Sequence, residues 1–309
     1  MHKYILKRLI QMIPVLLGVT FIIALLMYVA PGCPARVALG DGAPEEALIA
    51  KRAELGVDRP FIVQYGDFLY QLVVHQDLGR SIRTNRVIIT EIMDRFPTTA
   101  ELAAASTLIA ILIGIPVGII AAVKPYSLFD NITMVLTLAM MAMPIFWMAL
   151  LMILLFSVQL GWLPPLGWGS WEYMIMPAFA IGSGSAAGIA RMTRSSMLEV
   201  IRQDYIRTAR AKGQMERVII VKHAFKNALI PIITIIGLMF GGLLGGAVLT
   251  EFIFSINGVG GFVMDGIRMR EADIVQGGVL LMAFAFSIIN LAVDVIYAFV
   301  DPRIKSQYR

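Results

Sequence analysis

Cysteine and histidine are scarce in this chain of 309 residues. It contains one cysteine, Cys33, and three histidines, His2, His75 and His223. A single cysteine excludes an internal disulfide and a cysteine-based metal cluster. The histidines are far apart in the sequence, so no metal site built from them is expected.

Charged residues are also few. They make up 15% of the chain, and hydrophobic residues make up 58%, whereas a soluble domain usually has about 25% charged residues. This surplus of apolar surface is too large for one water-soluble core, so we expect a membrane protein. The net charge of +5 would suit nucleic acid. However, the basic residues follow the pattern that orients membrane proteins, and no nucleic-acid partner is expected.

Nucleotide-binding motifs are missing. The sequence has no Gly-x-x-x-x-Gly-Lys-Ser/Thr phosphate loop, so any ATP hydrolysis must occur in a partner. The stretch "GVGGFV" at 258–263 lacks the spacing of a dinucleotide fingerprint and is predicted to be a turn. The apolar segments lack a nucleophile–base or metal pair, which argues against an intramembrane enzyme. We therefore expect no catalytic residues, metal site or cofactor site in this chain.

Six segments have the length and apolarity of membrane-spanning helices, which need about 20 mostly apolar residues. They are Leu9–Ala30, Leu102–Val123, Ile132–Val158, Met174–Ala190, Ala228–Thr250 and Gly277–Val300. The fourth is the shortest and contains three glycines. Pro144 and Pro177 predict kinks in the third and fourth segments.

The basic residues predict the orientation of these spans. Residues 1–8, 124–131, 191–227 and 301–309 together carry sixteen lysines and arginines, whereas the short opposite loops 159–173 and 251–276 carry two. Basic residues concentrate in cytoplasmic loops. We therefore predict that both termini and residues 191–227 are cytoplasmic.

The long segment 31–97 is then expected outside the cytoplasm as short helices. One is predicted from about Pro44 to Leu55, with Gly56 as its stop. A second follows from the helical spacing of Phe61, Tyr65, Phe68 and Leu72 before Gly79. The segment is either a small cap packed on the outer mouth or a docking surface for an external partner.

The most polar long stretch is "DYIRTARAKGQMERVIIVKHAFKNALIP", residues 204–231. Ser196 and Glu199 have capping-box spacing, which predicts a helix from Met197 to Lys212. One face of that helix would carry Leu198, Ile201, Tyr205 and Ala209. Gly213 is placed to end the helix in the left-handed conformation.

A second amphipathic helix is predicted after Gly213. Its apolar face would consist of Val218, Val221, Phe225 and Leu229, with Lys222 and Lys226 on the other face. Pro231 suggests that the next span restarts there. This helix–turn–helix suits either an anionic lipid surface or protein docking. The small residues Ala209 and Ala211 beside Gly213 favour docking, because lipid binding does not require them.

Several stretches together resemble one known family. "DYIRTARAKG" followed by a basic helix and "NALIP" resembles the cytoplasmic loop of ABC importer permeases, especially the dipeptide/oligopeptide/nickel branch. "YILKRLIQMIPVLLGVTFIIALLMYVAPGCPA" and "DLGRSIRTNR" resemble the first span and outer loop of that branch. Further similar stretches are "IPVGIIAAVKPYSLFD", "MPIFW", "RMTRSSMLEV" and "INLAVDVIYAFVDPRI". The resemblance covers nearly the whole chain.

The resemblance implies an all-α, six-helix, type I ABC importer permease with a cytoplasmic coupling helix–turn–helix. The implied parts are an N-terminal helix with an outer loop at 1–94 and a transmembrane domain at 95–300. The coupling loop is at about 191–227, and a cytoplasmic tail follows at 301–309. The implied location is a bacterial or archaeal inner membrane.

The resemblance also implies partners and a coupling surface. The partners are a second homologous permease, two ATP-binding subunits, an extracytoplasmic solute-binding protein and membrane lipids. The residues implied in ATPase coupling are Tyr205, Thr208, Ala209, Arg210, Ala211, Lys212 and Gly213. An ion-coupled secondary transporter is the alternative function, and vesicle transport with ATPase partners discriminates the two.

The chain departs from the family pattern mainly on the outer side. The family usually has Asp at the position of Cys33, often Pro at Val87, and "PGLGR" where "NGVGG" stands at 257–261. These differences leave open whether the solute is a dipeptide, an oligopeptide, glutathione, a nickel chelate or an opine. The roles of Cys33, Glu101 and Asp294 also stay open.

Glycines recur every fourth residue in two spans. They are Gly114 and Gly118, Gly237, Gly241 and Gly245, and Gly242 and Gly246. Small residues at this spacing let helices pack closely. We expect packing within the subunit, with contact to a second permease as the alternative.

Overall fold

The computed structural model describes residues 2–30, 32–40 and 42–300, and its regular elements there are helices. Five long helices are α1 His2–Val29, α5 Ile88–Val123, α8 Trp171–Ile201, α11 Lys226–Gly246 and α14 Ala272–Val300. Shorter helices are α2 Pro34–Leu39, α3 Glu45–Leu55, α4 Phe61–Tyr70, α6 Leu128–Ala142, α7 Ile145–Met152, α9 Asp204–Ala211, α10 Glu216–Val218, α12 Val248–Ile253 and α13 Val259–Met269. Wider π-helical turns extend α4 and α7 and join α10 to α11; they are Gln71–His75, Ile153–Gln159 and Ile219–Phe225.

Five segments are long and apolar enough to cross a membrane, and α6 with α7 forms a sixth if this bent pair is one span. The pair bends by 102° at Met143 and Pro144, so the predicted kink at Pro144 is confirmed as a break. Pro177 lies inside α8 without interrupting it. With six spans, residues 2 and 300 lie at the same end of the bundle as residues 202–215. We call this the α9 end, and the opposite end the cap end.

The core of the bundle is the close packing of α5 on α8. A Cβ atom added to Gly114 would lie 2.7 Å from the Ala186 carbonyl oxygen, and one added to Gly118 would lie 2.5 Å from that of Ala190. Any larger residue would force the two backbones apart. A Cβ atom on Gly237 or Gly241 would meet side chains of α14 instead, those of Val293 and Phe286. Gly242 and Gly245 have nothing within 4 Å, so only part of the glycine pattern serves packing inside this chain.

The segment before α5 forms the helices that its sequence predicts. Gly56 ends α3 with a φ of 68°, which glycine adopts without strain. Phe61 and Tyr65 of α4 pack edge-on against Phe21 of α1, with ring centroids 5.3 Å apart in both cases. Aromatic contacts thus fix these outer helices to the end of the first span. The predicted boundary between residues 94 and 95 falls inside α5.

The prediction that a helix begins at Met197 is wrong. Helix α8 continues through Ser196 to Ile201, and the chain breaks at Arg202 and Gln203 before α9. Ser196 and Met197 are buried, so tertiary packing extends α8 past the capping signal. The predicted face from Leu198 to Ala209 is therefore divided between two helices.

The predicted apolar face of the second helix is also wrong at Val221. That side chain is 57% exposed, whereas Ile219 and Ala224 are buried. The π-helical turn Ile219–Phe225 changes the register that a regular 3.6-residue period would give. The helix does not restart at Pro231, because α10, this turn and α11 are continuous.

Candidate functional site

Helix α9 and its flanking residues 202–215 close one end of the bundle. Ile206 is fully buried and Ala209 is nearly so, in a cluster with Met197 of α8, Ala122 of α5 and Ile219 after α10. The apolar face of α9 therefore points into the protein. Its other face, which is polar, lies on the surface.

Gly213 ends α9 in the way its sequence predicts, with a φ of 74°. Its amide N–H donates to the Arg210 carbonyl oxygen at 2.9 Å, and the Gln214 N–H donates to that of Ala209 at 3.4 Å. These two bonds are the pattern of a Schellman motif, which satisfies the last carbonyl groups of a helix. A Cβ atom on Gly213 would meet nothing within 4 Å. The requirement for glycine is thus conformational and not steric.

Two polar contacts hold the α9 turn to the following helix. The Arg210 guanidinium donates to both carboxylate oxygens of Glu216, at 2.6 and 3.2 Å. This contact raises the pKa of Arg210. The Asn227 Nδ2 atom donates to the Tyr205 hydroxyl at 3.1 Å. Movement of α9 would therefore pull on α10 and α11.

Six of the seven residues predicted for ATPase coupling form one exposed surface. They are Tyr205, Thr208, Arg210, Ala211, Lys212 and Gly213. The seventh, Ala209, is buried, so it cannot present a small surface to a partner as predicted. Its small side chain instead lets α9 lie close to the bundle. We call these six residues the α9 surface.

A bidentate ion pair that the sequence analysis missed ties α6 to α8 near this end. Arg194 donates from Nε to Asp130 Oδ1 at 2.5 Å and from Nη2 to Oδ2 at 2.7 Å. Asp130 is buried and also accepts from the Tyr126 N–H at 2.8 Å. Removing one partner of a buried pair usually costs about 3–5 kcal/mol. The sequence signal that could have drawn attention to Asp130 is its capping-box spacing from Ser127 at the start of α6.

The cap end contains a second buried polar centre around Glu251 of α12, which is fully buried. Its Oε1 atom accepts from the Thr99 hydroxyl at 2.7 Å, and its Oε2 atom accepts from the Gly261 N–H at 2.9 Å. The Thr99 Oγ1 atom also accepts from the Val259 N–H at 2.9 Å. Burial raises the pKa of Glu251 above its usual value of 4.5. One carboxyl group thus joins α5, α12 and the N-terminus of α13.

The predicted turn at 258–263 is wrong beyond Gly258, because helix α13 begins at Val259. Glycines at the start of α13 make room for the Glu251 carboxyl group. A Cβ atom on Gly258 would collide with the Glu251 carboxylate, and one on Gly260 would lie 2.6 Å from the Val248 Cα atom. Neither glycine has a positive φ. The start of α13 therefore needs glycine for space.

Arg95 contacts the start of α13 from outside. Its Nε atom donates to Asn257 Oδ1 at 3.0 Å, and its guanidinium lies 4.5 Å from the centre of the Phe262 ring. Arg95 also pairs with Glu91, which pairs with Arg86. Asn257, one of the departures from the family pattern, thus contributes a contact that proline could not make.

The sequence leaves open the roles of three residues, Cys33, Glu101 and Asp294, and their surroundings differ. Arg52 donates from Nε to Cys33 Sγ at 3.1 Å, and this hydrogen bond lowers the pKa of the thiol. Cys33 thus accepts a hydrogen bond from an arginine at the position where the family usually has Asp. Glu101 is exposed on α5. The side chain of Asp294 lies outside the described residues.

Two family models match the chain. Residues 114–306 match "Binding-protein-dependent transport system inner membrane component", and residues 1–103 match "Binding-prot-dependent transport system membrane comp, N-term". The chain belongs to this family. It is a permease of the ABC importer type. The predicted resemblance and all-α fold class are confirmed.

Curated relatives match this permease over nearly its full length. It is 42% identical over 333 residues to the dipeptide transport system permease protein DppB of Alkalihalophilus pseudofirmus, covering 99% of this chain and 100% of that protein. It is 40% identical over 305 residues to the glutathione transport system permease protein GsiC of Salmonella choleraesuis, covering 99% of each. Among solved structures, a chain of the inward-facing MetNI methionine ABC transporter matches with a TM-score of 0.60 and 19% identity. That match covers 69% of this permease and 98% of the other chain, and it supports the fold alone.

Proposed function

We propose that this permease forms half of the translocation pathway of an importer for short peptides or a related small solute. Two relatives at 40–42% identity are named as dipeptide and glutathione permeases, and both solutes are short peptides or peptide-like. The chain has no phosphate loop, so separate ATP-binding subunits supply the energy. A second permease and an extracytoplasmic binding protein complete the assembly, and membrane lipids surround it.

The α9 surface is the docking element for an ATP-binding subunit. The observation that carries this proposal is the division of α9 into a buried apolar face and an exposed polar face. An interfacial helix binds lipid by burying its apolar face among the acyl chains. In α9 that face is already occupied by the bundle. What remains exposed is polar and ends at a compact turn, which suits a protein groove better than a bilayer.

The contacts of α9 provide a route for movement from the ATP-binding subunit into the bundle. Arg210 and Tyr205 tie α9 to α10 and α11 through Glu216 and Asn227. Ile206 packs on residues of α5 and α8. Closure of two ATP-binding subunits would shift both docked α9 helices and change which end of the pathway is open. A rigid lever acting on a two-state bundle is sufficient for this switch.

In this proposal the α9 end is cytoplasmic and the cap end faces the binding protein. The motive is the concentration of sixteen basic residues in the predicted cytoplasmic segments. A reporter fused after Arg309 should therefore be active only in the cytoplasm. One inserted near Gly167 should be active only outside.

The test is uptake of labelled dialanine by vesicles that contain the permease, its permease partner, the ATP-binding subunits and the binding protein. Uptake should follow ATP and not an imposed ion gradient. Gly213→Val should reduce it at least tenfold, because a β-branched residue is strained at positive φ and the turn should open. Gly213→Asn should retain most uptake, since asparagine tolerates this conformation.

Lys222→Glu is the control for lipid attachment. Lys222 is exposed on the turn after α10, and reversing its charge should weaken binding to anionic lipid without straining Gly213. Docking predicts that Gly213→Val lowers both uptake and co-purification of the ATP-binding subunits more than Lys222→Glu does. The reverse order, or normal uptake in Gly213→Val, would refute the docking assignment. Uptake driven only by an ion gradient would refute the importer itself.

A further inference from the structure

A cavity of about 610 Å³ lies at the cap end. It is bounded by the end of α1, residues 32–34, the end of α3, helix α4 and the start of α14. Small-molecule sites usually have volumes of about 300–1,000 Å³. Neither the α9 surface nor the Glu251 centre includes this cavity.

One wall of the cavity contains oxygen acceptors with few donors. Asp273 and Gln276 lie one turn apart at the start of α14, and Asp77 lies beside them. The Asp77 carboxylate accepts from the Gly79 N–H at 2.9 Å, and a Cβ atom on Gly79 would lie 3.3 Å from Asp273 Oδ2. The two carboxylates therefore meet at the Gly79 turn.

Gln276 supplies an independent sign that this wall is built for a donor. It is only 8% exposed, it lines the cavity, and its Oε1 atom has no hydrogen-bond partner. Within residues 2–300 as described, the Asp273 carboxylate also forms no hydrogen bond or ion pair. A buried acceptor without a partner is costly. An acid at a helix N-terminus can serve the helix dipole alone, but that role explains neither the cavity nor the Gln276 amide.

Another wall of the cavity presents a guanidinium group. Arg270 follows α13, and its side chain lies against Gly32, where a Cβ atom would come within 2.6 Å of Nε. Among the described residues, this guanidinium has no hydrogen bond or ion pair. The cavity thus holds uncommitted acceptors and an uncommitted cation. This arrangement suits a ligand that carries both an ammonium and a carboxylate group.

We propose that the cavity binds a zwitterionic short peptide on its way into the permease. The peptide ammonium would donate to Asp273, Gln276 and Asp77, and its carboxylate would accept from Arg270. An ammonium has three N–H donors for these three acceptors. This inference rests on the proposed function, because it names how the proposed solute class is recognised.

The test is equilibrium binding of labelled dialanine to the assembled transporter in nanodiscs, without ATP and without the binding protein. N-acetyl-dialanine lacks the ammonium, and dialanine amide lacks the carboxylate. Each should compete at least about tenfold more weakly than dialanine, as expected for losing one charge-assisted contact. These two probes need no mutation, so they decide the question even if a variant does not fold.

Variants of Asp273 and Arg270 test which wall of the cavity binds the peptide ammonium and which binds its carboxylate. Asp273→Asn should weaken dialanine at least about tenfold while changing N-acetyl-dialanine little. Arg270→Gln should weaken dialanine but not dialanine amide. Asp67→Asn is the matched control, since Asp67 lines the cavity but is already paired with Arg59 at 2.9 Å; it should bind dialanine normally.

Absence of dialanine binding, equal competition by all three probes, or equal effects of Asp273→Asn and Asp67→Asn would overturn the site. ATP-driven uptake of dialanine by the wild type separates this failure from that of the proposed function. Uptake with no effect of the cavity variants refutes the site alone. Absence of peptide uptake in the complete system refutes the proposed function.

Discussion

Two glycine-containing segments at opposite ends of the bundle, the turn after α9 and the start of α13, require glycine for different reasons. At Gly213 the backbone has a φ of 74°, and a Cβ atom would meet nothing within 4 Å. At Gly260 φ is not positive, but a Cβ atom would lie 2.6 Å from the Val248 Cα atom and 2.9 Å from Glu251 Oε2. The first turn constrains conformation and leaves its surface free for a partner. At the start of α13 the constraint is on volume, because Gly258 and Gly260 are buried.

The largest effect is expected for Gly260→Ala. Its new methyl group would press against the Val248 backbone, which cannot move aside as a flexible side chain can, and overpacking costs about 1–3 kcal/mol or more. We expect a lower yield of monodisperse protein and a clear fall in the thermal midpoint in detergent. Gly242→Ala is the control, because Gly242 is exposed and open. Similar midpoints for both variants would show that α13 can move away from the Val248 backbone to make room for the methyl group.

The next largest effect is expected for Glu251→Gln. The glutamine amide has two N–H donors, whereas the protonated carboxyl group has one O–H donor, so one buried N–H would be left without an acceptor. Leaving a buried group unsatisfied costs about 1–3 kcal/mol. At pH values near 4.5, the thermal midpoint of Glu251→Gln in detergent should lie below that of the wild type.

The difference in thermal midpoint between the wild type and Glu251→Gln should depend on pH. Because burial raises the pKa of Glu251, the folded state retains a proton that the unfolded state loses. The resulting stability is present below the unfolded pKa and is lost as pH rises through the folded value. The difference in thermal midpoint between the wild type and Glu251→Gln should therefore decrease as pH rises above about 4.5. If that difference instead increases with pH, the hydrogen bonds to Glu251 favour the ionised carboxylate more than burial disfavours it.

The smallest effect on stability is expected for Gly213→Ala. A left-handed alanine costs about 1 kcal/mol, and the exposed turn can open without disturbing the core. The global thermal midpoint should barely change, while amide hydrogen exchange around residues 209–214 should become about fivefold faster. Exchange unchanged from the wild type would show that the φ of Gly213 is not maintained in the membrane.

Features set by local chemistry were predictable from the sequence. The stop at Gly56, the turn at Gly213 and the break at Pro144 each depend on one residue and its neighbours. The six apolar segments also follow from composition alone. In each case the residue type at the position, or the composition of the segment, decides the local structure.

Features set by distant contacts were not predictable in this way. Ser196 carried a valid capping signal, but packing against α5 extended α8 beyond it. The π-helical turn before α11 shifts the helical register, and this shift exposes Val221. Ala209 was expected to offer a small contact surface to a partner, and it is buried against the bundle instead. Thr99 and Glu251 are 152 residues apart in the sequence, and no local pattern joins them.

The bend between α6 and α7 has a consequence for the assembled protein. A helix that stops at membrane depth leaves carbonyl and N–H groups that lipid tails cannot satisfy, so such breaks occur only against protein or water. In this chain Pro144, Ile145, Phe146 and Trp147 are exposed. Lipid alone therefore cannot surround this corner of the molecule, and a neighbouring subunit or a water-filled passage must meet the chain there.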